Sequence, residues 1–527
     1  MNKRILNVLA AGVIVISGMV AFGGQISGAA ADSSSSSSNT AGSTGSASGA
    51  STSSSTTLTS GDYVYRLYAD NRLELTKYNG TDENVIVPSE LGGNPVTSIG
   101  SAFQKKEFLK SITIPASVNK ITLSAFSGSN DLSKITINSG NTIYTAVDNI
   151  VYEKDSNKVI LCAPGISEAV IKNGTAEIGS RAFYMTNVNK VHIPASVTKI
   201  YGDSFSRSSN LKVFDVDTKS TSFSSANGIL YNKNKTGVIA CGGGIDSVTL
   251  PNTVTAIGER AFVYNEKLSA ITIPSSVKSI AAYAFEDCRN LTSITIPSSV
   301  TVIEKRAFDH CDSLKTVKLN AGITTISEGV FNYCKSLQSI NIPSSVTSIG
   351  SGAFSSCKSL QSVNIPSSVT TIENRAFREC TSLQSINIPS SVTTIERDAF
   401  INCTSLKSLT VPKSVTTIGD SAIGYNGKNK IEGFTLYCYK GSAAQTYAIS
   451  NGINYVLLDG TTVNYGDVNM DKKVDMQDLA LLQQYLAKWD VTIDEKASDV
   501  DLSGTIEMQD LALLQQYLAK WDVKLGK

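Results

Sequence analysis

The chain has 527 residues, with 46 Lys and Arg against 45 Asp and Glu, so its net charge is only +1. With this balance, nothing in the composition indicates binding to nucleic acid or to an anionic membrane surface. Two histidines are present, His192 and His310, and no nucleophile or base pattern surrounds either. The length permits about three domains.

The N-terminus is predicted to be a secretory signal peptide, residues 1–31. Lys3 and Arg4 precede an apolar run, and three alanines at 29–31 supply a small-residue cleavage site. An uncleaved anchor is the alternative, because the run is nearly long enough to cross a bilayer. Residues 32–60 are almost entirely Ser, Thr, Gly and Ala, which predicts a flexible linker. The protein is therefore expected to be secreted and extracellular.

After the predicted linker, much of the chain consists of a motif that recurs at a constant spacing in residue number. Its clearest mark is the string I-P-S-S-V or a close variant, and one proline is missing where Asn320 takes its place. One phenylalanine and one cysteine recur with the same residue spacing as the proline. The prolines are Pro251, Pro274, Pro297, Pro343, Pro366, Pro389 and Pro412. The phenylalanines are Phe262, Phe285, Phe308, Phe331, Phe354, Phe377 and Phe400, and the cysteines are Cys288, Cys311, Cys334, Cys357, Cys380 and Cys403.

Each repeat is predicted to form one turn of a coil. In residues 372–394, Leu383, Ile386 and Ile388 point inward from a short strand. A single turn cannot bury this apolar row, but stacked turns can, with adjacent strands about 4.8 Å apart. Two related insertions, residues 149–162 and 227–241, predict hairpins that project from the coil.

The pattern A-F-x-x-C-x-x-L-x-x-I-x-I-P-x-S-V resembles the leucine-rich repeats of BspA-type bacterial surface proteins. Residues 63–91 resemble the strand-rich N-terminal cap of that family, and residues 435–458 resemble its strand–helix–strand end. The resemblance implies a mainly β leucine-rich repeat solenoid over residues 61–458, with both caps. It also implies adhesion or recognition, although the architecture does not fix the ligand.

The six cysteines of the repeat are predicted to form a reduced, buried ladder. Nine cysteines in a secreted chain could indicate disulfides. These six, however, occupy one equivalent position per turn, and pairing two of them would demand a backbone adjustment. Metal binding is not indicated, because no CxxC pair or nearby histidine supports it.

One catalytic hypothesis arises in the repeat region. Glu373 and Glu396 lie on adjacent turns, about 5 Å apart, which is the carboxylate separation of retaining glycosidases. Glu259, Glu304 and Glu328 lie near the same repeat position. An exposed structural edge is the preferred interpretation, because these carboxylates alternate with Arg and Lys and no cleft is evident. No catalytic residue is assigned.

Residues 466–527 contain the string MQDLALLQQYLAKWDV twice, at 476–491 and 508–523, and each copy follows an acidic loop. Acidic side chains at alternate loop positions are the oxygen ligands that Ca²⁺ prefers. The sequence therefore predicts two Ca²⁺ ions, each held by loop positions 1, 3, 5, 7, 9 and 12. The first set is Asp467, Asn469, Asp471, Lys473 (by its carbonyl), Asp475 and Asp478. The second set is Asp499, Asp501, Ser503, Thr505 (by its carbonyl), Glu507 and Asp510.

Each loop is predicted to lead into one amphipathic helix, with no second helix before the loop. The apolar stripes are Leu479, Leu482, Leu486 and Trp489 in the first copy and Leu511, Leu514, Leu518 and Trp521 in the second. The stripes should pack the two helices together with pseudo-two-fold symmetry. At loop position 6, Gly504 suits the sharp turn, whereas Lys472 replaces glycine in the first loop.

This module resembles a type I dockerin, which attaches secreted proteins to the cohesins of a scaffoldin. The resemblance implies a small all-α module over residues 466–527, after a linker at 459–465. It also implies that loop positions 10 and 11 and helix positions 17, 18 and 22 contact the cohesin. These residues are Met476, Gln477, Gln483, Gln484 and Lys488, repeated as Met508, Gln509, Gln515, Gln516 and Lys520. Because the two sets are identical, either one could present the same face after a half-turn.

Together these features predict a multi-domain, secreted, non-catalytic component of a cellulosome-like complex that degrades polysaccharide. The dockerin attaches the protein, and the repeat domain presents a recognition surface for a protein, a cell or a substrate. Two alternatives stay open: a glycoside hydrolase that carries a dockerin, and a rigid spacer without a ligand.

Overall fold

The computed structural model describes residues 55–459, 465–471, 473–488, 491–520 and 523–526. The predicted signal peptide, residues 32–54 of the predicted linker, and the side chains of Lys472, Trp489 and Trp521 lie outside these ranges. Within them, forty strands and four helices form a parallel β-coil and a small helical module. None of the four helices is long and apolar enough to cross a membrane.

An antiparallel cap begins the coil. Strand β1 (Ser55–Ser60) pairs with β2 (Tyr63–Tyr68), and β2 pairs with β3 (Leu73–Tyr78). A short hairpin of β5 (Glu90–Leu91) and β6 (Asn94–Ile99) follows, and β6 lies parallel to β3. The predicted linker boundary at residue 60 is therefore wrong by the length of β1. Composition missed this edge strand because its side chains are mostly exposed, and the strand is held by backbone pairing with β2.

Sixteen strands form the front row of the coil, one strand per turn, and neighbours within each sheet pair in parallel. They are β4 (Asn84–Ile86), β7 (Ser111–Ile114), β9 (Lys134–Ile137), β13 (Glu168–Val170), β15 (Lys190–Ile193), β17 (Val213–Val216), β21 (Ser247–Thr249), β23 (Ala270–Thr272), β25 (Ser293–Thr295), β27 (Thr316–Lys318), β29 (Ser339–Asn341), β31 (Ser362–Asn364), β33 (Ser385–Asn387), β35 (Ser408–Thr410), β39 (Thr435–Cys438) and β40 (Asn454–Leu457). The register follows the repeat, since Ser339 lies opposite Ser362, and Ser362 opposite Ser385.

Shorter strands form a back row behind the front row, starting from β6. They are β8 (Lys120–Ile121), β14 (Glu177–Ile178), β16 (Lys199–Ile200), β22 (Ala256–Ile257), β24 (Ser279–Ile280), β26 (Val302–Ile303), β28 (Thr325–Ile326), β30 (Ser348–Ile349), β32 (Thr371–Ile372), β34 (Thr394–Ile395) and β36 (Thr417–Ile418). Two strands per turn leave a narrow core between the rows, which the apolar positions of the repeat fill.

Both predicted hairpins form, but the prediction that they project from the coil is wrong, because most residues of their second and third strands are buried in the core. The first joins β10 (Tyr144–Val147), β11 (Ile150–Glu153) and β12 (Lys158–Cys162), and the second joins β18 (Phe223–Ala226), β19 (Ile229–Asn232) and β20 (Gly237–Cys241). The offset between corresponding strands is the same for all three pairs, so the two insertions are copies of one unit. The last strand of each hairpin pairs with the back row and returns the chain to the coil.

Phenylalanine and cysteine form two continuous columns through the core. The rings from Phe262 to Phe400 stack turn on turn, with neighbouring centroids 4.8–5.7 Å apart. Each thiol of the cysteine column donates to the phenylalanine carbonyl of the preceding turn at 3.1–3.3 Å. All nine cysteines lie in the described part of the chain, buried and without a disulfide, as a reduced ladder requires. Burial raises the pKa of thiols such as Cys357, so they stay protonated and unreactive.

Two left-handed residues flank the phenylalanine of each regular turn. In one turn they are Arg375 (φ 57°) and Glu379 (φ 59°), on either side of Phe377. This alternation turns the N–H groups of Arg375, Phe377 and Glu379 toward the next turn. The carbonyls of Arg397, Ala399 and Ile401 accept them at 2.9–3.1 Å. We call this part of the turn the phenylalanine edge; it links the turns where no strand does.

Asn320 replaces a proline of the repeat without interrupting the coil. Its Nδ2 donates to the carbonyl of Pro297 on the preceding turn at 2.6 Å. Its Oδ1 accepts from the N–H of Gly322 at 2.6 Å. The amide side chain therefore fixes the same bend with hydrogen bonds that proline fixes with its ring.

A strand–helix–strand cap ends the coil, as the sequence predicts. A small hairpin of β37 (Tyr425–Asn426) and β38 (Asn429–Lys430) precedes β39, and helix α1 (Ala443–Asn451) lies between β39 and β40. The Tyr447 hydroxyl accepts from the N–H of Ile423 and donates to its carbonyl, both at 3.1 Å. It thus occupies the backbone groups that the missing next turn would have used.

The C-terminal module contains α2 (Met476–Leu486), α3 (Glu495–Ser498) and α4 (Met508–Leu518). Leucines of both stripes are buried between α2 and α4, with Leu482 and Leu514 at 0% exposure. The prediction that no helix precedes the loops is wrong for the second loop, because α3 makes one turn there. Asp494 caps α3 by accepting from the N–H of Ala497, a local bond that a search for apolar periodicity does not detect.

At exposed positions of the phenylalanine edge, we expect glycine to give a more stable protein than a β-branched residue, because the backbone there is left-handed. Arg306 has φ 53°, and the same position holds Gly329 and Gly352 in the next two turns. Arg306→Val should lower the free energy of unfolding by about 1–2 kcal/mol relative to Arg306→Gly, because Cβ branching disfavours this conformation. Urea unfolding of the full chain, followed by circular dichroism, measures the difference. Ser362→Val on an exposed strand position is the control and should not destabilise; equal stability of the two Arg306 variants would contradict the assignment.

Candidate functional site

The second acidic loop brings three carboxylates together at the start of α4. Ligand oxygens of Asp499, Asp501 and Asp510 all lie within 4.8 Å of one another. Asp510 is fully buried, and its Oδ1 accepts from the N–H of Val500 at 2.8 Å. Its Oδ2 accepts from the N–H of Glu507 at 2.9 Å, so the carboxylate closes the loop at both ends. Such a cluster of hard oxygen donors is chemically suited to a divalent cation such as Ca²⁺.

The remaining predicted ligands of this loop lie at its outer side. Ser503, Thr505 and Glu507 are all exposed. Ser503 Oγ hydrogen bonds to the carbonyl of Thr505 at 3.0 Å, and this carbonyl is the oxygen predicted at loop position 7. The N–H of Gly504 donates to Asp499 Oδ2 at 3.0 Å across the sharp turn, where φ of Gly504 is 85°. Glycine is favoured at this position, as the sequence predicts.

Hydrogen bonds favour the ionised form of Asp501. Donation from Ser503, first through its backbone N–H and then through its hydroxyl, holds the pKa of Asp501 below its ordinary value. An ionised carboxylate is the form that ligates Ca²⁺. In the second loop Asp501 is therefore held in the form that ligates Ca²⁺.

The first loop repeats these hydrogen bonds one unit earlier in the chain. The N–H groups of Asn469 and Asp475 donate to the two oxygens of Asp478, as those of Asp501 and Glu507 donate to Asp510. A further hydrogen bond recurs in both loops. The N–H of Asp471 donates to Asn469 Oδ1 at 3.0 Å, and the N–H of Ser503 donates to Asp501 Oδ1 at 2.9 Å. Two loops that differ at most positions therefore share these backbone hydrogen bonds.

The first loop differs from the second at its ligand cluster. Asp467 and Asp478 are buried, but Asn469 places an amide where the second loop has a carboxylate. The exposed Asp471 Oδ1 accepts from the N–H of Lys473 at 2.8 Å, so it faces its own turn. Over the ranges that the structure describes, three clustered carboxylates are found only in the second loop. Lys473 is exposed and Asp475 half-buried at the start of α2, where Asp475 caps the N–H of Gln477.

The predicted partner-contact residues are equally accessible in both copies. Met476 and Met508 are 65% and 66% exposed. The other exposed members are Gln477, Gln483 and Lys488 with their counterparts Gln509, Gln515 and Lys520, while Gln484 and Gln516 are half-buried in both copies. Two equivalent hydrogen bonds, from Asp494 to Val468 and from Gly526 to Val500, hold the halves in matching positions. The predicted pseudo-two-fold relation therefore extends to these surfaces.

Sequence reasoning missed one apolar feature of the loops. Met470 and Leu502, at loop position 4, are 58% and 51% exposed. Both have a left-handed backbone, with φ 62° and 60°, which disfavours these side chains. The signal available in the sequence was an apolar residue at the same place in two otherwise divergent loops.

The glutamates of the repeat region make structural contacts. Glu373 Oε2 accepts from the N–H of Ser351, and Glu396 Oε2 from the N–H of Asn374, at 2.9 and 2.8 Å. Glu304 makes the equivalent contact with Ala282. Each carboxylate thus ties its turn to the preceding one. Glu259 and Glu328 lie one position nearer the phenylalanine and instead face Arg260 and Arg306.

A different acidic group lies on the phenylalanine edge and was not predicted. Asp309 is 2% exposed, and its Oδ1 contacts His310 Nδ1 at 2.8 Å and accepts from Asn332 at 3.0 Å. Burial first, and then the charge of Asp309, raises the pKa of Glu286 to about 7. Burial alone would lower the pKa of His310, but hydrogen bonding to Asp309 and nearby carboxylates raise it. Side chains from adjacent turns create this cluster, so spacing within one repeat does not reveal it.

The repeat matches a known family. The BspA type leucine rich repeat region, in six copies, matches residues 92–212, 160–232, 240–360 and 324–453, more than half of the chain. The chain belongs to the BspA-type leucine-rich repeat family. The predicted leucine-rich repeat solenoid is therefore confirmed, and its surface-protein family indicates an extracellular or cell-surface location.

The Dockerin type I domain model matches residues 465–519, which confirms the resemblance of the C-terminal module. A dockerin implies a cohesin partner and assembly of the cellulosome type. The matched domains of this BspA-type protein are repeats and a dockerin, and neither model describes a catalytic domain.

Solved structures include similar leucine-rich repeat proteins. One from Eubacterium ventriosum ATCC 27560 is 24% identical, over 64% of this chain and 92% of that chain, with a TM-score of 0.44. A leucine rich cell surface protein from Faecalibacterium prausnitzii A2-165 is 26% identical, over 63% and 95%, with a TM-score of 0.35. One from Bacteroides ovatus ATCC 8483 is 23% identical, over 74% and 98%, with a TM-score of 0.37. Among curated proteins, no match was found.

The cluster of Glu286, Asp309 and His310 should make the repeat domain less stable as the pH rises. A carboxyl group whose pKa is raised from 4.5 to about 7 contributes stability that is full below pH 4.5 and is lost as the pH passes 7. The raised pKa of His310 acts in the same direction. Glu286→Gln should therefore gain roughly 1–2 kcal/mol over the wild type at pH 8 but little at pH 4.5. Thermal unfolding at both pH values measures this, and Glu266→Gln on an exposed site is the control. A gain that is equal at both pH values would contradict the proposed titration.

Proposed function

We propose that this protein is a secreted, non-catalytic component of a cellulosome-like, polysaccharide-degrading complex. Its dockerin attaches it to the complex, and its repeat domain presents a recognition surface. The observation that carries the proposal is the doubled loop–helix unit, whose loops share one hydrogen-bond geometry and whose helices expose identical side chains.

Each loop holds one Ca²⁺ ion in this proposal. The ligands in the first loop are Asp467, Asn469, Asp471, Lys473 through its carbonyl, Asp475 and Asp478. Those in the second loop are Asp499, Asp501, Ser503, Thr505 through its carbonyl, Glu507 and Asp510. The bound ion would neutralise clustered carboxylates that otherwise repel one another. The second loop is the better prepared, because three of its carboxylates already converge.

The cohesin is bound through the exposed helix surface in this proposal. The contact set is Met476, Gln477, Gln483, Gln484 and Lys488, or its copy Met508, Gln509, Gln515, Gln516 and Lys520. Equal exposure of the two sets supports two binding modes related by a half-turn. Either mode would leave the other set facing solvent.

The repeat domain supplies recognition rather than catalysis. Its front-row strands expose short polar side chains, such as Ser362 and Asn364, around a buried centre. The glutamates that could have formed a glycosidase pair, Glu373 and Glu396, instead receive backbone hydrogen bonds from the preceding turn. Such a surface suits a protein, cell-surface or polysaccharide ligand, whereas no observation favours a hydrolase.

Removing one buried carboxylate should remove one calcium site. In Asp510→Asn the side chain loses charge while keeping its size, so the second loop should no longer bind Ca²⁺ and the first loop should still do so. Isothermal titration of the intact protein should show two ions for the wild type and one for the variant. Glu495→Gln, an exposed acidic residue outside both ligand sets, is the control and should keep two. An unchanged ion count in Asp510→Asn would refute the assignment of the second loop.

Changing one contact set should barely weaken cohesin binding. Replacing Gln483, Gln484 and Lys488 by alanine removes one of two equivalent modes, which costs at most about twofold in affinity, or about 0.4 kcal/mol. Replacing both sets should abolish binding. Titration of the intact protein with cohesin modules of its native scaffold, in the presence of Ca²⁺, measures the affinities.

The second set provides the matched control. The variant with alanine at Gln515, Gln516 and Lys520 alone should behave like the first triple variant. If either single-set variant loses binding, the two modes are not equivalent and the symmetric proposal fails.

A further inference from the structure

A small polar cleft lies on the outer face of the back row, beside the N-terminal cap. It has a volume of about 230 Å³ and lies among β2, β3, β6 and β8. Its polar lining includes Arg72, Glu74, Ser98, Asn119 and Lys120. It is built where the antiparallel cap meets the first parallel strands, and none of its lining residues belongs to the predicted calcium or cohesin-contact sets.

Ser98 lies at the centre of the cleft wall. In the strand register it lies opposite Glu74 on one side and Lys120 on the other. The residue is only 8% exposed, and its Oγ has no hydrogen-bond partner among the residues that the structure describes. Leaving a buried hydroxyl unbonded is costly, so such a group in a native protein calls for an explanation.

The charges around Ser98 leave the cleft positive. Arg72 Nε donates to Asp70 at 2.6 Å, which leaves its terminal guanidinium nitrogens available. Glu74 Oε2 accepts from the Tyr68 hydroxyl at 2.8 Å and lies 3.6 Å from Arg66. Lys120, in contrast, is exposed and makes no ion pair with any acidic side chain in the described ranges. The cleft therefore offers an unpaired ammonium group beside free hydrogen-bond donors.

We propose that this cleft binds a sugar residue that bears a carboxylate, such as a hexuronic acid unit of an acidic polysaccharide. The carboxylate is held by Lys120 and the free guanidinium nitrogens of Arg72. The sugar hydroxyls hydrogen bond to Ser98 and Asn119, whose side chains both donate and accept. The volume is below the roughly 300 Å³ at which pockets for drug-sized ligands begin, so it suits a single ring.

An acidic peptide fits this cleft less well. Strand β6 pairs with β3 on one side and β8 on the other, so no open strand edge is available for peptide addition at Ser98. A carboxylate side chain of a peptide also offers no hydroxyl for Ser98 and Asn119. A ligand with one carboxylate and several hydroxyls uses all of these groups.

Titration of the full-length protein with monosaccharides tests the proposal. Saturation-transfer NMR and calorimetry would compare galacturonate and glucuronate with galactose, glucose and acetate. We expect binding of at least one uronate, at least tenfold tighter than either the neutral sugars or acetate. Comparison of the two uronates distinguishes galacturonate-type from glucuronate-type polysaccharides as the source.

Variants then locate the site. Lys120→Gln should weaken uronate binding at least tenfold, and Ser98→Ala should weaken it severalfold without lowering the melting temperature. Lys134→Gln, on an exposed front-row strand, should change nothing.

Three results would overturn the proposal. Acetate could bind as tightly as the uronates, an acidic peptide could bind where sugars do not, or Lys134→Gln could lose as much affinity as Lys120→Gln. None of these measurements depends on Ca²⁺ or a cohesin, so failure here would leave the proposed function unaffected.

Discussion

The constraint on which the repeat domain depends is the hydrogen bonding of each turn to the next. On the phenylalanine edge, three N–H groups of one turn reach three carbonyls of the following turn, and this requires left-handed residues such as Arg375 and Glu379 on both sides of Phe377. Equivalent residues then lie directly above one another. The stacked phenylalanine rings and the thiol-to-carbonyl bonds of the cysteine column follow from this register, since every turn offers its neighbour the same surface.

Much of this architecture can be predicted from the regular repeat, because each apolar position in it is buried in the same place in every turn. The caps are harder to predict from the sequence. Ser55–Ser60 forms a strand although its composition matches a linker, because an edge strand needs a backbone partner rather than apolar side chains. The same reasoning explains why the glutamates invited a catalytic interpretation. Their spacing is visible in the sequence, whereas the N–H groups that bind Glu373 and Glu396 belong to other turns.

In the dockerin, by contrast, the candidate site was easier to predict from the sequence than in the repeat domain. Its predicted ligand positions and its duplicated helices are local patterns, so spacing alone singled out Asp478 and Asp510, whose carboxylates accept backbone N–H groups of their loops. The one-turn helix α3 escaped notice because it is short and is held by local bonds, among them the capping bond from the N–H of Ala497 to Asp494. The cleft around Ser98 could not be predicted at all. Its walls come from strands about one repeat apart, and their chemistry meets only when those strands pair.

The phenylalanine edge also gives the coil a net dipole along its axis. The N–H groups that link its turns point toward the C-terminal end, and the carbonyls that receive them point toward the N-terminal end. The peptide dipoles of these linking groups therefore add from turn to turn instead of cancelling. The C-terminal end of the column is therefore slightly positive, where the Tyr447 hydroxyl meets Ile423. Each whole turn gained by duplication would strengthen that polarity while reusing the same terminal hydroxyl.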